Sequence, residues 1–171
     1  MYCLDILQKA MDYKVIQNFL DKDTFSFIQE KTMGSEMAYF YNKTVAYDNS
    51  KESQCYFTHS LYKYDQPTSP FFSSILVPIS KRLDLKSLIR AKVNLYTKTE
   101  KIIEHDPHVD LSFPHFGCVY SINTNDGYTK LGDIKIPSIE NQALLFDSSK
   151  EHSSTSCTDQ LARFNININY F

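Results

Sequence analysis

The chain has 171 residues, with 18 Lys and Arg against 20 Asp and Glu and a formal net charge of −2, the size of one domain able to bury a core. Balanced charge without clustered Lys or Arg leaves no footprint for nucleic acid. No apolar run approaches the roughly 18–20 residues of a membrane span. The 12 Tyr and 12 Phe, gathered with β-branched residues in short runs and accompanied by no Trp, favour a sheet-rich fold. Cys3, Cys55, Cys118 and Cys157 are scattered, with no CxxC or zinc-ribbon spacing. Their even number leaves disulfides open, but a domain of this size does not need them, and the sequence is read as having no signal peptide ahead of the domain. Reduced thiols in a cytoplasm are expected.

In chain order, residues 1–13 are mildly amphipathic and read as a short helix or a frayed arm, and Tyr13 to Leu20 reads as a first strand ending at Asp21. Asp21 to Thr24 offers capping side chains to a helix through Phe25–Lys31, and Gly34 stops it. Met37 to Tyr47 reads as a strand, residues 48–51 as a loop, and Cys55 to Tyr62 as a further extended run. After a loop over Tyr64–Pro70, Phe71–Leu83 is expected to be helical despite Pro78. Ile89 to Tyr96 alternates cleanly, Ala91, Val93 and Leu95 opposite Arg90, Lys92, Asn94 and Tyr96. Short strands follow at 101–104, 117–123, 128–131, 133–136, 143–146 and 161–170, with turns at Asn125-Asp126-Gly127, Gly132, Pro137-Ser138 and Asn141. The pattern predicts one α+β domain over residues 1–171, helices early and many short strands closing into a jelly-roll or barrel.

The chemistry gathers in the C-terminal third. His108 and Asp110 of His108-Val109-Asp110 share one face if that segment is extended. His152, forty-two positions beyond Asp110, completes two imidazoles and one carboxylate, a facial set that leaves three octahedral positions open on a non-haem Fe(II). The His-x-Asp pair alone is weak. In the last strand Phe164, Ile166, Ile168 and Tyr170 alternate with Arg163, Asn165, Asn167 and Asn169. A half-exposed strand with its polar side in water explains that pattern. A polar interior explains it at least as well, because four large polar residues without a Lys or Glu are unusual on a solvated face. An Arg in such an interior would take a carboxylate in bidentate fashion.

His108-Val109-Asp110, Gly127-Tyr128-Thr129, Leu144-Leu145-Phe146-Asp147-Ser148 ahead of His152, and Arg163 in a β-rich tail together resemble the Fe(II)/2-oxoglutarate dioxygenases. The chain is most similar to the small prolyl-4-hydroxylase-like proteins of bacteria and tailed phages. The likeness extends upstream through Asn94-Leu95-Tyr96 and, weakly, to Asn18-Phe19-Leu20. It implies a double-stranded β-helix with N-terminal helices packed on one sheet, Fe(II) on His108, Asp110 and His152, and the distal carboxylate of 2-oxoglutarate on Arg163. It implies cosubstrate contacts for Tyr96 and for Asn167, which stands where relatives often carry a hydroxyl. The tyrosine that some relatives place on the strand after His-x-Asp matches Ser121 here, with Tyr120 facing the other way.

The implied activity is hydroxylation of a C–H bond by O2, with release of succinate and CO2 and with ascorbate keeping the iron reduced. The implied substrate is a peptide, protein or small molecule, a peptidyl proline being the first candidate, inside a bacterial cell or phage host. The alternative is a metal-binding β-barrel of another chemistry, cupin-like, or a non-catalytic interaction protein; the cupin His-rich motif with its nearby Glu is missing. His105 lacks a carboxylate two positions on and is placed outside the ligand set, and His59 is read as structural. His115 lies in the 111–117 loop expected to overhang the site. Arg90, Lys92, His115 and Lys130 are candidate substrate-facing residues, each more simply read as structural or solvated.

Overall fold

The computed structural model describes residues 13–45 and 55–171. The expectations for residues 1–12 and for the loop at 48–51 lie outside the described residues, as does Cys3. Eleven strands are present among the described residues: β1 Tyr13–Ile16, β2 Phe40–Asn42, β3 Tyr56–Lys63, β4 Gln66–Pro67, β5 Leu88–Thr97, β6 Phe116–Ser121, β7 Asn125–Leu131, β8 Ile134–Ser138, β9 Gln142–Asp147, β10 His152–Ser154 and β11 Ala162–Tyr170. The helices are α1, Lys22–Met33, and α2, Val77–Arg82. A major sheet runs in the order β1-β9-β6-β11-β5-β3-β2, with β4 beside β3, and a minor sheet runs β10-β7-β8. Every pairing is antiparallel.

Alternation along β11 sorts its residues between two environments. Ile166 and Ile168 join Ala91, Val93, Cys118 and Tyr120 of the neighbouring strands in one core, which also takes Phe25 and Ile28 of α1 and Ile79 of α2. On the opposite face, Val119, Leu144 and Phe146 meet Ile136 of the minor sheet. Arg163, Asn165, Asn167 and Asn169 share that inter-sheet side and are all buried. The polar face of β11 is therefore interior.

Local chemistry explains the element ends. Asp21 caps α1, its Oδ1 accepting from the Thr24 amide at 3.0 Å, and the Gly34 amide closes it on Glu30 O. The first strand is shorter than the expected run to Leu20. Asn18 takes a left-handed backbone, φ 50, which Asn tolerates better than most residues. Phe19 and Leu20 then turn inward and bond to the backbone and side chain of Asn141. The expected single helix over 71–83 divides into a π-helical turn, Phe72–Leu76, and α2. Pro78 falls in the first turn of α2, where its missing N–H leaves no internal bond unmade. Between Met37 and Tyr47 only Phe40–Asn42 is strand among the described residues. Residues 101–104 reduce to a single bridge, Glu104 to Thr155. Strand β10 was not foreseen, since Ser-rich residues 148–156 carry little strand propensity.

Candidate metal centre

His108 and His152 face each other across an isolated antiparallel bridge, each amide donating to the other's carbonyl at 2.9 Å. The expectation that His108 and Asp110 share one regular strand is corrected. Pro107 offers no amide to a ladder, only His108 bridges, and Asp110 sits in a bend with its amide on Ser148 O at 3.1 Å. Even so, the bend brings Asp110 inward. One ligand atom from each of His108, Asp110 and His152 lies within 4.8 Å of the other two. Asp110 Oδ2 stands 3.8 Å from His152 Nε2, and the imidazole centroids are 4.6 Å apart.

Both imidazoles are aimed by the same device. Nδ1 of His108 donates to Asp106 O at 3.2 Å, and Nδ1 of His152 donates to Lys150 O at 3.0 Å. Each bond fixes a tautomer whose Nε2 lone pair is free for a metal. Burial, with His152 nearby, pushes the His108 pKa down and favours the neutral imidazole that a metal requires.

Asp110 is held from four sides. Arg90 Nη2 donates to Oδ1 at 2.8 Å. The Ser148 hydroxyl, Asn169 Nδ2 at 2.9 Å and Asn167 Nδ2 at 3.3 Å donate to Oδ2. Burial alone raises the pKa of Asp110, but Arg90, His152, Ser148 and Asn169 outweigh it and hold the carboxyl well below the ordinary range. Gly117 makes the Ser148 contact possible, because a Cβ there would stand 2.6 Å from Ser148 Cβ.

These ligands open on a small polar cavity of about 30 Å³, also lined by Tyr56, Lys92, Asn94, Tyr96, Thr129 and Asn167 among others. Tyr96 is stacked between Tyr56 and His105, at 5.5 and 5.3 Å. Two buried acceptors on the lining, Asn94 Oδ1 and Asn167 Oδ1, have no hydrogen-bond partner among the described residues. Such atoms cost about 1–3 kcal/mol each, so the cavity favours a polar occupant. Two imidazoles, a carboxylate and this polar wall fit a divalent, octahedral-type metal with positions left for small oxygen ligands.

Arg163 lies at the end of the inter-sheet space, opposite Tyr96 on β5. It is 1% exposed, and among the described residues no carboxylate pairs with it. Its Nε donates to Ser138 Oγ at 2.9 Å, Nη1 to Thr155 O at 2.9 Å and Nη2 to Thr129 Oγ1 at 3.1 Å. Its guanidinium carbon is 5.5 Å from the Tyr96 ring centroid. Three of five donors are thus used by the protein. Arg163 stands behind Thr129 and Tyr96 and is not itself on the cavity lining. Gly127 leaves room for it, since a Cβ there would lie 2.9 Å from Arg163 Cδ.

Other expectations divide. His105 is outside the ligand set, buried against Tyr96 with Nδ1 2.8 Å from Ser154 Oγ. His59 is structural, its two ring nitrogens each 2.7 Å from Ala38 O and Ser69 Oγ. The Tyr120 hydroxyl points away from the cavity to Asn141 Oδ1 at 2.8 Å. Of the four candidate substrate-facing residues, Lys92 alone lines the cavity. Arg90 is spent on Asp110. His115 is buried, with Nε2 3.3 Å from Asn169 Nδ2. Lys130 pairs with Glu104 at 2.5 Å. The roles of Arg90, Ser148 and Asn169 around Asp110 were missed; the interior polar face of β11 was the one available signal, and it pointed to Asn169.

No family model matches the chain, and no curated protein matches it by sequence. Solved structures do match in fold. A 2OG-Fe(II) oxygenase family oxidoreductase from Burkholderia pseudomallei superposes with a TM-score of 0.71 at 9% identity, over 99% of this chain and 89% of its own. A prolyl hydroxylase from Trichoplax adhaerens, in complex with a hypoxia-inducible-factor degradation-domain peptide, gives 0.69 at 12% identity, over 96% and 85%. The non-haem alpha-ketoglutarate-dependent epimerase SnoN of nogalamycin biosynthesis gives 0.64 at 9% identity, over 99% and 83%. Among the described residues, no helix is long and apolar enough to cross a membrane. The two facing antiparallel sheets are the jelly-roll shared with prolyl hydroxylases and other 2-oxoglutarate-Fe(II) oxygenases, and a His-Asp-His cluster stands inside it.

Proposed function

We propose that this chain is a single-domain Fe(II)- and 2-oxoglutarate-dependent dioxygenase that hydroxylates a C–H bond of its substrate, with α1 and α2 buttressing the major sheet. The observation that carries the reading is the convergence of His108, Asp110 and His152 within 4.8 Å at a polar cavity, in a fold shared with such enzymes.

His108, Asp110 and His152 would hold the metal. Bound Fe(II) supplies the redox chemistry that couples O2 reduction to loss of CO2 from the 2-oxo acid, one oxygen atom ending in succinate and the other in the substrate's new hydroxyl. The protein's own part is placement. Asp106 and Lys150 carbonyls orient the imidazoles, and Arg90, Ser148 and Asn169 orient the carboxylate. Arg163, with two donors unspent behind Thr129 and Tyr96, would take the distal carboxylate of 2-oxoglutarate once these side chains shift to admit it, while Tyr96 and Asn167 shape its path to the metal. Because the neighbours include both an enzyme with a bound peptide and an epimerase, fold alone does not select a substrate. A peptidyl proline is the first candidate.

The test is succinate release from 2-oxoglutarate by the purified protein with Fe(II), O2 and ascorbate. Host peptides are then screened by mass spectrometry for the gain of one oxygen atom. Absence of succinate under all these conditions overturns the reading.

A further inference from the structure

The cavity contains a cation that the placement above leaves unused. Lys92 lies on the inward face of β5, in register with Asn167 of β11 and one inward step from Arg90. It lines the same cavity as His108, Asp110 and His152. Its hydrogen-bond partner is the Tyr56 hydroxyl, at 3.2 Å, and its Nζ is 5.3 Å from the Tyr56 ring centroid. Among the described residues no carboxylate pairs with it, whereas Arg90 on the same face is matched by Asp110. An ammonium carries three donors, so two of those of Lys92 remain for a ligand.

Charge and size point the same way. Lys92 lines the cavity directly, the Asp110 carboxylate there is already matched by Arg90, and a divalent metal would add two further positive charges. Burial, with Arg90 close by, pushes the Lys92 pKa down, the mark of a cation short of a counter-charge. A cavity of about 30 Å³ holds roughly two or three waters, about the space of one carboxylate group, so a carboxylate seated on the metal ligands would also meet Lys92. The Tyr56 hydroxyl holds the ammonium, and the Tyr56 ring is stacked on Tyr96.

We propose that Lys92, held by Tyr56, binds a carboxylate of the 2-oxo acid at the metal end of the cavity, so that the cosubstrate is gripped by two cations, Lys92 and Arg163. This inference rests on the cosubstrate reading above. It assigns Lys92 to the cosubstrate and removes it from the candidate substrate contacts.

The experiment is calorimetric titration of 2-oxoglutarate into the Mn(II)-loaded full chain without O2, for the wild type, Lys92→Met, Lys92→Gln and Lys92→Arg. Melting curves and Mn(II) affinity are measured on the same samples. The expected result is a 2-oxoglutarate Kd raised about tenfold or more in Lys92→Met and Lys92→Gln. Lys92→Arg should recover most of the affinity, with Mn(II) affinity unchanged throughout. A wild type that binds 2-oxoglutarate, together with a folded Lys92→Met or Lys92→Gln that binds it equally well, overturns the role of Lys92 and leaves the oxygenase reading standing. A folded, Mn(II)-loaded wild type that binds no 2-oxoglutarate overturns both.

Discussion

Arg90 Nη2 lies 2.8 Å from Asp110 Oδ1, a salt bridge between an inward residue of β5 and a candidate metal ligand that has no place in a regular strand. The pair leaves Oδ2 as the oxygen facing His152. Replacing Arg90 by Met should destabilise the metal-free protein by about 2 kcal/mol, below the roughly 3–5 kcal/mol of a fully buried broken pair because the Arg90 side chain is partly exposed. The folded-state pKa of Asp110 is depressed, so its contribution is complete above the unfolded value near 3.9 and is lost as pH falls below it. The melting-temperature gap between wild type and Arg90→Met should therefore be widest near neutral pH and should close below about pH 4. A gap independent of pH contradicts this role for the pair.

His105 sets a second, distinct acid limit. Burial, then Arg163 and His108, lower its pKa from 6.5 to about 3, so the fold keeps this imidazole neutral against Tyr96. Stability from His105 is thus complete above its unfolded pKa of 6.5 and declines as pH falls toward about 3. His105→Phe should flatten the stability curve of the metal-free protein between these limits, read by denaturant unfolding at several pH values. An equally steep curve in that variant places the acid sensitivity elsewhere.

Gly127→Ala should destabilise the protein by about 1–3 kcal/mol through overpacking, because the new Cβ would stand 2.6 Å from Ser156 O and 2.9 Å from Arg163 Cδ. Gly117→Ala acts on the other end of the site, pressing Ser148 away from Asp110. Its metal affinity should fall about tenfold, the low end for loss of a ligand's supporting hydrogen bond. Both are measured by thermal melting with and without Mn(II).

Metal should stabilise the fold through the same three side chains. Saturating Mn(II) or Fe(II) at about a hundred times Kd adds roughly 2.7 kcal/mol by mass action, and a chelator should remove it. The melting temperature of His152→Ala should respond to neither.

Much of this architecture was legible because local chemistry and pattern agree in it. Asp21 and Gly34 mark α1, alternation marks β5 and β11, and the Lys-free polar face of β11 marks an interior. The bend carrying Asp110 and the three-residue strand β10 were not legible, since both are fixed by partners distant in sequence. The Ser148 carbonyl holds the Asp110 amide, while Leu131 and His108 hold His152 in place. The early end of β1 has the same origin, in the bonds Asn141 makes to Phe19 and Leu20. Arg90 was read as half of a polar face, but its partner comes from a loop twenty residues on, a distance that no period encodes.

The most direct measurement is succinate formed per unit time from 2-oxoglutarate, with Fe(II), O2 and ascorbate, by the wild type, His108→Ala and Arg163→Ala. Production by the wild type, with its loss in both folded variants, is the predicted result. Succinate formed at the wild-type rate by both variants would contradict the assignment of this site.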